Sequence, residues 1–305
     1  MAASAFSLLA RGLRDLRTHP CPVEDHLRAD GGGLYPLDLE SIGRQFQPGE
    51  DGVVMVPGPG GRCYYNPVSA SLFALARHTR AHRDEASRSM DLAAFLTQAF
   101  HLRASQDEDG GWRYPIPVAR YGLTPGWRSA MAQGLAVSVL LRAVDITGEQ
   151  SYFDAATAAG ALMLRPIESG GCADYDECGE PFLEECPCDA RCHILNGALY
   201  ALIGLHELEA RTGELVHISA ARRLASQLES YDLGYWSRYD LLFSAPATLA
   251  YHSLHVSLLK IAAQLFANQA FSSTAQRWRS YAGNPLHRLR AASGKARFVL
   301  GEGRG

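Results

Sequence analysis

One short segment holds the residues with the clearest potential for chemistry. The sequence EECPCDARCH, residues 184–193, brings three cysteines, a histidine and two glutamates together. Thiolates and imidazoles are the usual ligands of structural zinc, and Cys172 and Cys178 precede this segment closely. Its spacing, C-x-C-x3-C-H, differs from the paired C-x2-C knuckles of ordinary zinc sites. The pattern therefore favours thiols or an adventitious disulfide without a bound metal, and a structural zinc site is the alternative.

Two histidines offer a second candidate for metal chemistry. His252 and His255 lie three residues apart in AYHSLHVSLL and share one face of a predicted helix. Two imidazoles alone make a poor metal site, so these are expected to be interior histidines that form hydrogen bonds. The sequence predicts neither a metal ion nor a cofactor.

Composition limits the classes of partner. The chain has 305 residues, of which 47% are hydrophobic and 20% charged, as in an ordinary globular protein. Its formal net charge is -3, and it contains no run rich in lysine and arginine, which argues against a nucleic-acid partner. The segment 288–297 is mildly basic and is expected to be a solvated tail.

The beginning of the sequence resembles neither a secretory signal nor a membrane span. Its apolar stretch precedes its arginines and is too short for either, and residues 1–20 are expected to form a short amphipathic helix. A cytoplasmic location without a membrane partner is the expectation. In that compartment the seven cysteines would remain thiols or bind metal.

The chain divides into two regions of different character. Residues 1–65 contain the predicted N-terminal helix and an extended arm rich in glycine and proline, with a short hairpin near Val53 to Val56. Residues 66–305 are apolar at helical spacing on both sides of four polar breaks, which recur at intervals of roughly 65 residues. Stacked αα-hairpins have this pattern, so the sequence predicts an all-α fold in which about four hairpins form an incomplete α/α toroid.

Long loops separate the hairpins: 105–124, 166–193 and 230–245. Because successive hairpins run in the same direction, these loops should converge at one end of the fold. Their aromatic rings can stack on sugars, and their arginines can bind carboxylates, as a cleft for an acidic saccharide requires. Function concentrates on long loops that a rigid scaffold holds, so the site is expected there.

A specific resemblance supports this interpretation. The motifs that carry it are PGWRSAMAQGLAVSVLLRA (125–143), ILNGALYALIGLHEL (194–208), YDLGYWSRYDL (231–241), YHSLHV (251–256) and RWRSY (277–281). In this order they resemble the C-terminal domain of D-glucuronyl C5-epimerases, which act on glucuronate in heparosan and heparan sulfate. The likeness runs from about Tyr65 to Tyr281. It implies a toroid, epimerase chemistry at C5 of a uronate glycan, and a possible homodimer.

The resemblance also implies three proton carriers, Glu185, Tyr239 and Tyr251. Inversion at C5 removes a proton next to a carboxylate and returns one on the opposite face, without metal or nucleotide. Two positions depart from the family pattern. Cys186 stands where the family has tyrosine, and Leu242 stands where it has arginine.

The remaining side chains of the predicted cleft are expected to bind the saccharide. They are Trp112, Tyr114, Arg120, Trp127, Arg128, Glu184, Cys186, Asn196, Arg238 and His252. Two other functions stay open at this stage. A uronate lyase would use the same proton abstraction and then eliminate the C4 substituent, and an inactive homologue would only bind saccharide.

Overall fold

The structure is a computed structural model that describes residues 33–243 and 245–302, with side chains described up to Phe298. The amphipathic helix expected over residues 1–20 lies outside the described residues. The described part is mostly helical, which confirms the all-α class. Closure of its hairpins into an incomplete toroid stays a prediction.

The four predicted hairpins are present. After a single turn, α1 (Glu40–Gly43), the paired helices are α2 (Pro67–Arg83) with α3 (Arg88–Ala104), α4 (Ala130–Thr147) with α5 (Gln150–Leu164), α6 (Leu195–Thr212) with α7 (Val216–Gln227), and α8 (Leu249–Phe266) with α9 (Gln269–Gly283). A last helix, α10 (Pro285–Glu302), follows them.

Local sequence signals fix the ends of these helices. Gly148 and Gly213 follow α4 and α6 with φ of 72° and 80°, a left-handed conformation that glycine adopts without strain. Asn66 begins α2, and its side chain accepts hydrogen bonds from two backbone N–H groups of the first turn. Thr248 begins α8 in the same way by accepting from the N–H of Tyr251. These signals explain why the hairpin turns were visible in the sequence.

The first helices of the hairpins form the interior of the protein. Helices α2, α4, α6 and α8 pack against one another in chain order, and their partners lie outside them. Helices α4 and α6 approach so closely that a Cβ added to Gly204 would lie 2.1 Å from the carbonyl oxygen of Gly134. Helix α4 is long and apolar enough to cross a membrane, but 78% of it is buried in the fold, as expected of a core helix.

The arm packs onto the same core. Its predicted hairpin is present as β1 (Met55–Pro57) and β2 (Cys63–Tyr65), which pair antiparallel. Gln98 of α3 holds the preceding turn by accepting from the N–H of Val54 and donating to the carbonyl of Gly52. Tyr35 is fully buried, so this part of the arm contributes to the hydrophobic core.

Helix α10 corrects one expectation. The basic segment 288–297 is part of a helix with one face against the domain and not an irregular tail, although its arginines are exposed. Ala291 is 1% exposed and packs with Trp236 and Leu249, because the face of α10 that meets the domain carries small residues.

Candidate active site

The three long loops meet on one side of the helices: the first loop (105–129), the second loop (165–194) and the third loop (228–248). The hydroxyl of Tyr121 in the first loop donates to Asp240 in the third at 2.9 Å. The N–H of Leu241 donates to the carbonyl of Cys192 in the second loop at 2.9 Å. The predicted convergence of the loops is confirmed.

Glu185 follows the short hairpin of the second loop, which consists of β3 (Ala173–Tyr175) and β4 (Pro181–Leu183). Its carboxylate lies 3.5 Å from the side-chain nitrogen of Asn196, at the start of α6. Glycine at position 197 leaves room for it, since a Cβ there would lie 2.3 Å from Oε2 of Glu185. Burial raises the pKa of Glu185 to about 7, so both protonation states are accessible near neutral pH.

Tyr239 and Tyr251 lie together in the site, and Tyr239 is close enough to Glu185 to feel its charge. Their rings meet edge to face, with 4.8 Å between centroids and an interplanar angle of 69°. Burial raises the pKa of Tyr239 well above its usual value, and the charge of Glu185 raises it further. Tyr251 is 38% exposed. Tyr239 therefore links the three residues predicted as proton carriers, since it contacts the ring of Tyr251 and senses the charge of Glu185.

Three cysteines of the second loop form a buried apolar cluster in contact with Tyr239. Cys186, Cys188 and Cys192 are buried in one cluster, against which Trp127 and Tyr239 pack. The thiol of Cys192 donates to the carbonyl of Cys186 at 3.2 Å, and burial raises the pKa of both thiols. Among the described residues no group of three or more His, Cys, Asp and Glu side chains could hold a metal ion.

Two aromatic residues of the first loop stack on each other. The rings of Tyr114 and Trp127 are 4.1 Å apart and nearly parallel, at 9°. Tyr114 is 4% exposed, and burial raises the pKa of its hydroxyl. The charge of Glu185 raises that pKa further, so Tyr114 lies near this carboxylate on the buried side. Trp127 is only half-buried, and its indole N–H donates to the carbonyl of Ile116. Trp127 is therefore the ring of this pair with surface left for a sugar.

Glu184 belongs to the framework of the second loop. It is fully buried, and its two oxygens accept from the backbone N–H of His193 at 3.0 and 3.1 Å. The sulfur of Cys192 lies 3.4 Å from the same carboxylate. Burial raises the pKa of Glu184 to about 8. These contacts hold residues 184 and 193 of the second loop together. Glu184 therefore stabilises the loop that carries Glu185, and its carboxyl is not exposed to a ligand.

Two predicted substrate contacts lie in the core instead. Trp112 is 3% exposed, and its indole N–H donates to the carbonyl of Leu102, so neither ring face is open to a sugar. His252 is fully buried between the Ser237 hydroxyl and the Trp278 carbonyl. Burial lowers its pKa to about 4, which keeps it neutral. The expectation of interior hydrogen-bonding histidines is confirmed for His252 and replaces its assignment to the substrate.

The arginines of the loops have different surroundings. Arg128 is 6% exposed and forms ion pairs with Asp107 at 2.7 Å and Asp109 at 2.6 Å. Because two carboxylates already neutralise it, Arg128 does not suit the substrate role predicted for it. Arg120 lies 3.5 Å from Asp240. Arg238 is half-buried, and no carboxylate partner is recorded for it among residues 33–243 and 245–302.

Two residues near the site were absent from the sequence-based prediction. Asp240 is 1% exposed and joins the first and third loops through Tyr121. Asn66, the cap of α2, accepts from the hydroxyl of Tyr114 at 3.4 Å. Asp240 belongs to the motif around Tyr239 and could have been predicted from it. The sequence around Asn66 indicates only the start of a helix.

A family model, described as the D-glucuronyl C5-epimerase C-terminus, matches residues 106–280, which contain the second and third loops, all but the first residue of the first loop, and the predicted carriers. The chain belongs to this family. The match begins in the first loop and ends in α9, so the arm, the first hairpin and α10 lie outside it. The resemblance inferred from the motifs is therefore confirmed.

Two curated relatives support the family assignment. A D-glucuronyl C5-epimerase of Caenorhabditis elegans is 35% identical over 216 residues, which are 62% of this chain and 35% of the relative. An uncharacterized protein of Methanocaldococcus jannaschii is 28% identical over 174 residues, which are 52% of this chain and 56% of the relative. The chain thus spans about a third and about half of the length of these relatives.

Proposed function

We propose that this protein is a carbohydrate epimerase that inverts C5 of glucuronate residues in a heparosan-like glycan. Family membership supports epimerase chemistry, and the contacts among the loop residues support the proposed site. One observation carries the assignment of roles. The carboxyl of Glu185, whose pKa is raised to about 7, acts by its charge on Tyr239, and the ring of Tyr239 meets that of Tyr251.

The reaction needs one group that accepts a proton and another that returns one. Ionised Glu185 removes the proton from C5, and the electron pair moves toward the substrate carboxylate to give an enolate-like dianion. A phenol on the opposite face then donates a proton to C5, and Tyr251 is assigned this step with Tyr239 assisting. The raised pKa of Tyr239 keeps its hydroxyl protonated, so that the proton is present in the resting site.

The dianion requires a cation, because two negative charges in a partly desolvated site are otherwise too costly. Leu242 replaces the arginine that the family pattern has, and Arg128 is bound to Asp107 and Asp109. We assign this role to Arg238, which lies next to Tyr239 in the chain and has a buried Nε without a hydrogen-bond acceptor among the described residues. Its guanidinium can hold a carboxylate through two hydrogen bonds.

The test is incubation with heparosan and other glucuronate-containing glycans in heavy water, followed by NMR. Deuterium at C5 together with iduronate is the expected result. Exchange without inversion would leave only one working carrier, and a product with ultraviolet-absorbing unsaturation would identify a lyase. No exchange on any uronate glycan would refute an enzymatic function for this site.

A pair of variants tests the assignment of Glu185. Glu185→Gln should abolish exchange, because an amide cannot accept the C5 proton. Glu177→Gln is the matched control, since Glu177 is an exposed residue of the same loop. Full exchange by Glu185→Gln would contradict the assigned base.

A further inference from the structure

The last helix places a basic surface beside the third loop. The described side chains of α10, residues 285–298, include Arg288, Arg290, Lys295 and Arg297 and no carboxylate. The chain as a whole carries a net charge of -3, so this excess of cations is local. A local positive field attracts an anionic ligand and orients its approach.

Contacts place this surface next to the candidate active site. The guanidinium of Arg290 lies 3.8 Å above the ring of Tyr235, four residues before Tyr239 in the third loop. At the other end of α10, Phe298 meets the ring of Phe243 with 5.8 Å between centroids. The helix therefore runs along the loop that supplies one proposed proton carrier.

Two of the cations share one side of the helix. Arg290 and Arg297 are exposed and seven residues apart, which is about two helical turns and roughly 10 Å along the axis. No carboxylate partner is recorded for either one within the described part of the chain. The third-loop residue Arg238 likewise has none there. Guanidinium groups spaced along a surface suit a ligand that carries repeated carboxylates.

We propose that α10 binds uronate residues of a long acidic glycan beyond the one that reacts. The inference rests on the proposed function. It concerns a part of the chain outside the family match, which ends at residue 280. The site near Tyr239 would hold the reacting sugar, and Arg290 and Arg297 would hold the chain that extends from it.

Binding should be measured in the Glu185→Gln protein, which holds the glycan without turnover. The probes are a heparosan disaccharide and a long heparosan chain. The change Arg290→Gln with Arg297→Gln should weaken binding of the long chain about five- to tenfold at low salt, as expected for the loss of two surface charge contacts. It should leave the disaccharide affinity unchanged, and the dependence of long-chain affinity on salt should become less steep.

The matched control removes two charges elsewhere. Arg44 directly follows α1 and Arg88 begins α3, and each is an exposed residue that forms an ion pair with a nearby glutamate on the surface. Arg44→Gln with Arg88→Gln should preserve long-chain affinity. Circular dichroism of both double variants checks that the fold is intact.

Three outcomes would overturn the inference. The first is equal loss of long-chain affinity in both double variants, and the second is no loss in either. The third is binding of single-stranded RNA or anionic lipid vesicles as tightly as heparosan, with the same dependence on Arg290 and Arg297.

The outcome for α10 can be told apart from the outcome for the proposed function. Selective long-chain binding without C5 exchange would refute only the catalysis, whereas exchange by an α10 variant with unaltered long-chain affinity would refute only this inference.

Discussion

Tyr121 donates a hydrogen bond to Asp240 across 2.9 Å, and this bond ties the first loop to the third directly beside Tyr239. The other oxygen of the same carboxylate accepts from the backbone N–H of Phe243 at 2.7 Å. Asp240 is 1% exposed, so its bonds form away from competing water. The position of Tyr239 thus depends on a residue more than a hundred positions earlier in the chain.

Tyr121→Phe removes only the hydroxyl of this link. It leaves a buried oxygen of Asp240 with one donor fewer, which should cost about 1–3 kcal/mol in the free energy of unfolding. Because Tyr239 would lose its fixed position, the C5 exchange rate at saturating glycan should fall while the KM changes little. Urea denaturation and NMR exchange kinetics measure the two effects.

Tyr175→Phe provides the matched control for that experiment. The hydroxyl of Tyr175 donates to the carbonyl of Leu164, but the residue is 40% exposed and water can replace the bond. Both stability and exchange should stay near the values of the unaltered protein. Equal loss of exchange in the two variants would show that the Tyr121–Asp240 link has no special role in placing Tyr239.

Burial of Glu185 also predicts how stability depends on pH. Its pKa is about 7 in the fold, against a usual value near 4.5, so the folded protein binds this proton more tightly than the unfolded chain does. Its contribution to folding therefore becomes less favourable as the pH rises from about 4.5 to 7, and the full penalty is present above that range. Glu185→Gln should remove this penalty.

The Glu185→Gln protein should accordingly be more stable than the unaltered one at pH 8, by an amount on the order of 1–3 kcal/mol. At pH 4, where the carboxyl is protonated in both states, the difference should nearly vanish. Urea denaturation at the two pH values provides the measurement. A stability gain that is larger at pH 4 would contradict the raised pKa. The exposed control Glu177→Gln should show no such trend.

The four helical hairpins could be predicted from the sequence because the residues that specify them lie close together in the chain. Apolar residues at helical spacing and the glycines at 148 and 213 act within a few neighbouring positions. The surroundings of Arg128 and Trp112 depend instead on residues that meet them only after the loops have folded, namely Asp109 and Leu102. The resemblance predicted three proton carriers, but it could not show how each arginine of the loops is paired.

A buried ion pair between α4 and α6 provides a prediction about stability away from the site. Arg142 is 1% exposed and donates to both oxygens of Glu207, at 2.8 and 3.1 Å. Glu207→Gln would leave the guanidinium buried without a charged partner, which should cost about 3–5 kcal/mol in unfolding free energy. Arg211→Gln, which breaks a more exposed pair with Asp145, should cost about 1 kcal/mol or less. Similar losses from the two changes would contradict the importance of burial.

Gly204 tests the close approach of the same two helices. A Cβ at this position would lie 2.1 Å from the carbonyl oxygen of Gly134, and backbone atoms cannot yield as a flexible side chain can. Gly204→Ala should therefore force α4 and α6 apart and lower the unfolding free energy by about 1–3 kcal/mol or more. Gly283→Ala is the control, because a Cβ there meets nothing within 4 Å. Since Asn196, beside Glu185, lies in the first turn of α6, a shift of α6 should also slow C5 exchange. Urea denaturation of this variant and the control provides the measurement. If Gly204→Ala leaves the unfolding free energy unchanged, the backbones of α4 and α6 do not approach each other closely at Gly134 and Gly204.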